Sequence, residues 1–403
     1  MLFLFILKEE TGMKLESALL AALHESEGIG WKSIHRIMMH GQLHEGMISY
    51  GVNDWRSCGL SVEQANKLSK RFPSSVEQLL ERMSNAAGDS AGHSRGDVWK
   101  LTNRSKIRII TALDDQYPER LNSMSEPPWV IYSIGRAELL NQPGVAMVGT
   151  RMPTAYGRKM AGLLAEELTR YGLAVVSGMA RGIDSAAHEA ALTSGGATIA
   201  VLGAGIDVIY PAEHRSLYER IAESGLIVSE YPPGTKAHPG FFPRRNRIIA
   251  GLSLGTVVVE ADARSGSLIT ADYALEAGRD VFSVPGQVTS PKSRGTLALI
   301  KQGAKMVTDV QDIIEEYDSW LPNRAPNTYN KERQAPHSSL PGMDSGLTND
   351  ERHVYHMLEQ GPGSLDELLE GTQWDFGHLH SVLLSLIIKK QITQLPGAIY
   401  KII

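Results

Sequence analysis

The chain has 403 residues, with 40 Lys and Arg against 45 Asp and Glu, a formal net charge of −5 and 42% hydrophobic residues. That length exceeds what a single core usually holds and calls for two or three domains of a globular, not disordered or fibrous, protein. The lone Cys58 excludes a disulfide framework and any multi-cysteine zinc site and fits a reducing cytoplasm, while the mild acidity excludes a uniformly basic nucleic-acid binder but not a local basic groove.

Met1–Leu7 is apolar but far too short to span a bilayer, and Lys8, Glu9 and Glu10 follow at once. It lacks the basic lead-in and the small-residue cleavage site of a signal peptide, so residues 1–12 read as an upstream extension with Met13 as the true start. No other segment has the length and apolarity of a membrane span, and no membrane partner is expected. Residues 13–96 read as a small helical domain. Leu15–Leu23 has helical periodicity, Gly28-Ile29-Gly30 makes a tight turn, Trp31, Ile34 and Ile37 start a second helix, and Val62–Phe72 and Val76–Met83 give two more. Ala86–Gly96 is small and polar and reads as a loop.

Residues 97–318 change character. Strand-like runs at Val145–Val148, Ala174–Ser177, Thr198–Leu202, Leu226–Ser229, Thr256–Glu260, Val281–Val284 and Lys305–Val307 alternate with amphipathic stretches at Arg158–Tyr171, Ser185–Thr193, Glu213–Glu223 and Ser267–Ala277. The pattern predicts an α/β, Rossmann-like doubly wound, mostly parallel sheet covered on both faces. Residues 319–346, with Pro322, Pro326, Pro336 and Pro341, read as a flexible linker. Residues 347–403 predict three helices and a hairpin, Ile392–Leu395 and Ile399–Ile402 around Pro396-Gly397-Ala398, which together make a winged helix.

Ligands of open α/β sheets sit at the carboxyl ends of the strands. The loops expected there are Gly149-Thr150-Arg151, Ser177–Gly182, Gly203-Ala204-Gly205, Tyr231–Arg245, Arg264–Ser267 and Pro285-Gly286. Nearly all carry glycine, which lets backbone N–H groups approach an anion, and Arg151, Arg181, Arg244, Arg245, Arg247 and Arg264 gather at the same end. This predicts a phosphate-binding rim. Taken singly, each glycine loop is equally well a tight turn. Gly203-Ala204-Gly205 lacks the third glycine of a dinucleotide fingerprint, and no P-loop pattern occurs, so no nucleotide cofactor and no metal is expected. The densest segment is Phe241-Phe242-Pro243-Arg244-Arg245-Asn246-Arg247, where aromatic faces to stack bases adjoin guanidiniums to track phosphates, as single-stranded nucleic acid requires. The bland alternative is that one of the two phenylalanines fills the core and that Arg245 or Arg247 pairs internally with Glu230 or Glu260.

Three runs are more specific. Val148–Arg151 with Pro153–Gly157, Ser177–Asp184 with Ala187-His188, and Phe242–Ser253 resemble, in order and spacing, the motifs of the DNA-processing protein A family (DprA, also called Smf), and Glu260–Ala271 and Gly278–Gly286 extend the match. The helical segment and the winged helix resemble one domain layout of that family. The resemblance implies a non-enzymatic, cytoplasmic, single-stranded DNA-binding protein that protects incoming DNA in natural transformation and helps load the RecA recombinase, and it implies a homodimer. It places the DNA rim at Thr150, Arg151, Ser177, Gly178, Ala180, Arg181, Phe242, Arg244, Arg245, Asn246, Arg247, Gly266 and Ser267. Leu297 stands where the family usually has Asn, and Ala204 where it often has Cys.

A nucleotide-processing enzyme of the lysine-decarboxylase-like phosphoribohydrolase type would share the fold, but Arg264–Thr270 lacks the catalytic Glu of its glycine loop, and Glu260 and Asp262 read as a strand end that caps arginines. Gly28-Ile29-Gly30 resembles a DNA-binding helix-hairpin-helix, with a plain packing turn as the alternative. The C-terminal segment carries 4 basic and 7 acidic residues, and its third helix is mostly apolar. It is expected to contact protein partners and to bind duplex DNA poorly.

Overall fold

The computed structural model describes residues 13–88, 107–317, 348–359, 361–372, 374–389, 391–395 and 399–402. The upstream extension 1–12, the loop beyond Gly88, the linker 319–346 and the turn Pro396-Gly397-Ala398 lie outside the described residues. The rest falls into two compact units, one holding residues 13–317 and the other residues 348–402.

The first unit is organised by a nine-stranded sheet. Its strands are β1 (Arg108–Thr111), β2 (Val130–Gly135), β3 (Gly144–Val148), β4 (Ala174–Ser177), β5 (Thr198–Leu202), β6 (Leu226–Ser229), β7 (Gly255–Val258), β8 (Asp280–Ser283) and β9 (Lys305–Met306). Their order is β1-β2-β6-β5-β4-β3-β7-β8-β9, parallel from β6 to β9 and antiparallel at β2–β6 and β1–β2. The two antiparallel strands β1 and β2 are not among the strand-like runs expected from sequence. β3 is the hinge of the winding: the chain proceeds from it to β4, β5 and β6 on one side, then crosses back to lay β7, β8 and β9 on the other.

Strand residues alternate between two cores, as a period of two requires. Val145 and Met147 face the helices Ala155–Arg170 and Ile183–Thr193, while Ala146 and Val148 face the helices Phe241–Leu252 and Gly266–Glu276. At the β2 end Val130, Tyr132 and Ile134 join the helical region in one core with Leu19, Leu20, Leu23, Trp55 and Phe72. Polar contacts reinforce this seam. Trp31 and Trp129 stack at 5.7 Å, the Trp31 indole donates to the Pro127 carbonyl at 2.6 Å, and the Tyr132 hydroxyl donates to Glu25 at 3.0 Å.

Two helices expected at Val62–Phe72 and Val76–Met83 are one helix, Val62–Gly88, with Pro73 inside it. An interior proline costs about 3 kcal/mol. Leu68, Phe72, Val76, Leu79 and Leu80 are all buried across the interruption, and each contributes roughly 1.5–3 kcal/mol, so burial outweighs the break. At the other hairpin Ile29 is buried and the Gln64 amide donates to the Gly28 carbonyl at 2.8 Å, so Gly28-Ile29-Gly30 packs against the helix Val62–Gly88, with Gly28 in the left-handed region at φ 81°.

The second unit is the expected winged helix. Helices Asn349–Glu359, Leu365–Thr372 and Phe376–Ile388 pack on an antiparallel sheet in which β12 (Ile399–Ile402) lies between β10 (Gly363–Ser364) and β11 (Ile392–Leu395). Val354, Leu358, Leu379, Leu383, Leu386 and Tyr400 fill its core. Among the described residues no helix is long and apolar enough to cross a membrane, and no cluster of His, Cys, Asp and Glu could hold a metal ion.

Because the helical region and the sheet share one core, residues 13–317 unfold together. Leu20→Ala removes a fully buried side chain and costs about 2–5 kcal/mol. Hydrogen exchange in the full chain should then show β2 and the helix Leu15–Glu25 losing protection in step. Loss confined to the helices would contradict the shared core.

Candidate functional site

The site forms where the loops after β3, β4 and β5 meet the start of the helix Phe241–Leu252. The sequence reading placed the first part of that helix in a loop. Helix is possible there because Pro243 falls in the first turn, where its missing N–H would have no intrahelical acceptor anyway.

The loop after β3 is pinned from beneath by Glu260. The Glu260 carbonyl accepts from the Thr150 N–H at 2.7 Å, and its carboxylate accepts from the Thr154 N–H at 2.9 Å and the Thr154 hydroxyl at 2.6 Å. Glu260 therefore caps a loop and a helix start; it pairs with no arginine of the rim. A Cβ on Gly157 would sit 2.2 Å from its carboxylate and one on Gly149 would sit 2.6 Å from Ile183, so both positions need glycine for close approach. Thr150 faces inward, while Arg151 projects outward with its guanidinium 5.6 Å from the centre of the Phe242 ring, in cation–π range.

The loop after β4 is tied at both ends. Asp184, buried, accepts from the Gly178 N–H at 3.1 Å and the Ala180 N–H at 3.4 Å. Arg245 donates to the Gly178 carbonyl at 2.7 Å and to the Val201 carbonyl of β5. Burial lowers the Arg245 pKa to about 10 against the pull of Asp184, and it raises that of Asp184 against the pull of Arg245. Both groups are thus spent on architecture. Beside them burial holds His188 neutral, with its pKa lowered to about 3, and its Nδ1 lies 2.7 Å from the Thr198 hydroxyl.

Arg245 and Arg247 are the corrections to the expected rim. Each is only 5% exposed. Arg247 pairs with the buried Glu230 and donates to the Glu126 carbonyl at 2.6 Å, so its charge is consumed inside the protein. Arg245 reaches the cleft only as part of its floor. The reason is that the helix is covered on more than one side: Arg245 and Arg247, about 200° apart around its axis, reach different buried partners, Arg245 the Gly178 and Val201 carbonyls and Arg247 the Glu126 carbonyl and Glu230. Ser177 and Ser267 are also buried, and Ser177 donates to the Met147 carbonyl at 2.6 Å.

What remains at the surface is a narrow cleft with about 30 Å³ of space, lined among others by Arg151, Gly178, Ala180, Arg181, Phe242 and Arg245. Phe242 stacks on Tyr210 at 5.2 Å, while Phe241 stacks inward on Tyr231 at 4.2 Å, dividing the two phenylalanines between surface and support. Arg181 is exposed and paired with Glu213, whose pKa that arginine lowers to about 2. Arg244 is exposed beside the cleft without lining it. Asn246 links the helix to the loop after β7 by donating to the Gly266 carbonyl at 3.2 Å, and Gly266 and Ser267 lie outside the cleft. Tyr210, Asp184 and Glu213 were not assigned site roles from sequence. Tyr210 carried a usable signal, an aromatic beside a proline in the segment after a glycine loop.

The arrangement presents guanidiniums and an aromatic face with glycine-lined backbone between them, which suits a chain of phosphates and planar bases. Comparisons with known proteins agree with that architecture. The model of the DNA recombination-mediator protein A family matches residues 108–318, and that of the DprA winged helix domain matches residues 338–398. The chain is 31% identical to Protein Smf of Synechocystis over 96% of its own length and 98% of that protein. It is 45% identical to the DNA processing protein DprA of Streptococcus pneumoniae over 53% of this chain and 75% of that one. The X-ray structure of DNA processing protein A from Streptococcus pneumoniae superposes with a TM-score of 0.59 at 35% identity, covering 75% of this chain and 99% of that chain.

Arg247→Ala strands Glu230 without its counter-charge and should cost about 3–5 kcal/mol. Denaturant unfolding measures it, and a loss below about 1 kcal/mol would show that the pair is not consumed internally.

Proposed function

We propose a function on one premise: the chain belongs to the DNA recombination-mediator protein A family. It binds single-stranded DNA with little sequence preference and acts as a recombination mediator that protects incoming DNA and helps load RecA during natural transformation. It works as a homodimer in the cytoplasm and performs no covalent chemistry. Residues 97–318 are the DNA-binding part, flanked by the helical segment 13–96, whose helices share a core with the sheet, and by the winged helix 347–403. The observation that carries this reading is the juxtaposition of Arg151, Arg181 and the Phe242–Tyr210 stack across one cleft.

Each element has a task. Arg151, Arg181 and Arg244 supply charge to phosphates, and the exposed side of the Phe242–Tyr210 pair offers a stacking face, worth roughly 1–3 kcal/mol per base. The backbone of Gly178 and Ala180, Asn246 and the buried Thr150, Ser177, Ser267, Arg245 and Arg247 hold the loops that present them. The enzyme reading has less support. The cleft lining contains no carboxylate, and Asp184 and Glu260 are engaged with backbone N–H groups. The winged helix supports a protein-contact role: its third helix exposes Phe376 and Leu384 and carries no Lys or Arg.

Filter binding of a single-stranded oligonucleotide at two salt concentrations tests the reading. Arg151→Ala should weaken binding and flatten the salt dependence by about 0.7 in logarithmic slope. Unchanged affinity and slope in a folded variant would refute the cleft. Glu213→Gln tests the same site in the opposite sense. Its carboxylate stays ionised down to about pH 2, so near neutrality it competes with phosphate for Arg181. Removing it should tighten binding several-fold and steepen the slope, and weaker binding would exclude Arg181 as a phosphate contact.

A further inference from the structure

On the far side of Arg151 the surface opens again. A groove of about 430 Å³ is lined by Arg151, Met152, Pro153, Arg158, Gly182, Ser185, Ala186 and Glu189. Arg151 lines both this groove and the cleft. The two differ in capacity. The cleft is narrow and holds at most a few waters, whereas the groove is wider and more open to solvent. A strand whose phosphate engages Arg151 therefore finds space for a whole base beside the cleft, not within it.

Three features of the groove suit a nucleotide. Met152 stands 75% exposed at its mouth, and its position is set by its own N–H bonding the Thr150 hydroxyl at 3.3 Å. A long, flexible, apolar thioether held in water offers a polarisable sulfur contact to a base. Arg158 is exposed on the first turn of the helix Ala155–Arg170, and its guanidinium has no partner among the described residues, in contrast to Arg181, Arg245 and Arg247. Glu189 stands among the same lining residues; it repels phosphate and keeps the backbone toward the two arginines.

We propose that this groove is a second nucleotide subsite, in which Arg151 and Arg158 hold the phosphate between two neighbouring nucleotides of a single strand and Met152 carries the base of the outer one. The proposal rests on the single-strand reading of the cleft and extends it by one nucleotide. It also assigns the strand a direction of travel across the sheet edge, from the Phe242–Tyr210 stack past Arg151 toward the start of the helix Ala155–Arg170.

The test uses the full chain and a single-stranded 20-nucleotide oligomer. Arg158→Ala should lower affinity by roughly three- to tenfold and reduce the logarithmic salt slope by about 0.7, with no change in melting temperature. In a separate variant, Met152→Trp, the tryptophan emission should be quenched at saturating strand as a base stacks on it. Unchanged affinity and slope for Arg158→Ala, while Arg151→Ala still weakens binding, would overturn the groove and leave the cleft standing. Unquenched Met152→Trp at saturation would overturn it equally. If neither Arg158→Ala nor Arg151→Ala alters binding, the groove and the single-strand reading fall together.

Discussion

The guanidinium of Arg245 is the contact on which the site depends. It lies beneath the carboxyl ends of β4 and β5 and donates to a carbonyl from each, Gly178 and Val201. Asp184 fixes the other side of the same loop by accepting from the Gly178 and Ala180 N–H groups. Two titratable side chains, one from each of two helices, are thereby buried on one loop, and each is bonded to its backbone. Burial depresses the Arg245 pKa, but only to about 10, so it remains charged at neutral pH. A Cβ on Gly178 would fall 2.5 Å from the guanidinium, which explains the glycine without reference to a ligand. Removing either charge would leave the other unpaired in the interior, the costly outcome for buried ions.

The winding of the sheet explains why the surface site lies where it does. The crevice beside β3, between it and β7, is where a doubly wound sheet commonly opens for ligand. Here the Glu260 side chain closes it by reaching back to Thr154. The exposed concavities are displaced toward β4 and β5, and Arg151 stands between them. The glycines at Gly149 and Gly157 serve that closure by admitting Ile183 and Glu260 at short range. Much of the glycine-rich rim is thus about bringing loops close to one another, and a smaller part of it about bringing backbone close to a ligand.

How far the sequence could be read follows from this. Strands β3 to β8 were legible because each is a short apolar run buried on both faces, and the winged helix was legible from its capped helices and hairpin. β1 and β2 were missed because they are antiparallel additions outside the strand–helix alternation that organised the reading. The site was legible as a region and only partly as residues. Arg151, Arg181 and Phe242 line the cleft, but Arg245 and Arg247 look identical to Arg244 in a linear sequence. What separates them is the angle each takes around a helix and the carboxylate or carbonyl waiting at the end of the side chain. Glu230, the partner of Arg247, lies 17 positions away, close enough to be weighed as a partner and not to be chosen over a ligand.

The same sorting explains how a chain of net charge −5 can still offer a polyanion a locally basic surface. Four of the arginines near the site differ in what they can offer: Arg245 is held by backbone carbonyls and Arg247 by Glu230 inside the protein, Arg181 is shared with Glu213, and Arg151 is free of carboxylate partners among the described residues. The electrostatic attraction a ligand meets is therefore set by a few exposed guanidiniums and not by the sum over the chain, because charges more than about 8 Å apart are screened at physiological salt. A rim of few free charges also limits how steeply binding falls with salt, since the slope counts the phosphates neutralised and not the arginines present. The buried pair and the shared pair lower that count while fixing the loops, so the free guanidiniums that the surface offers are few and separated.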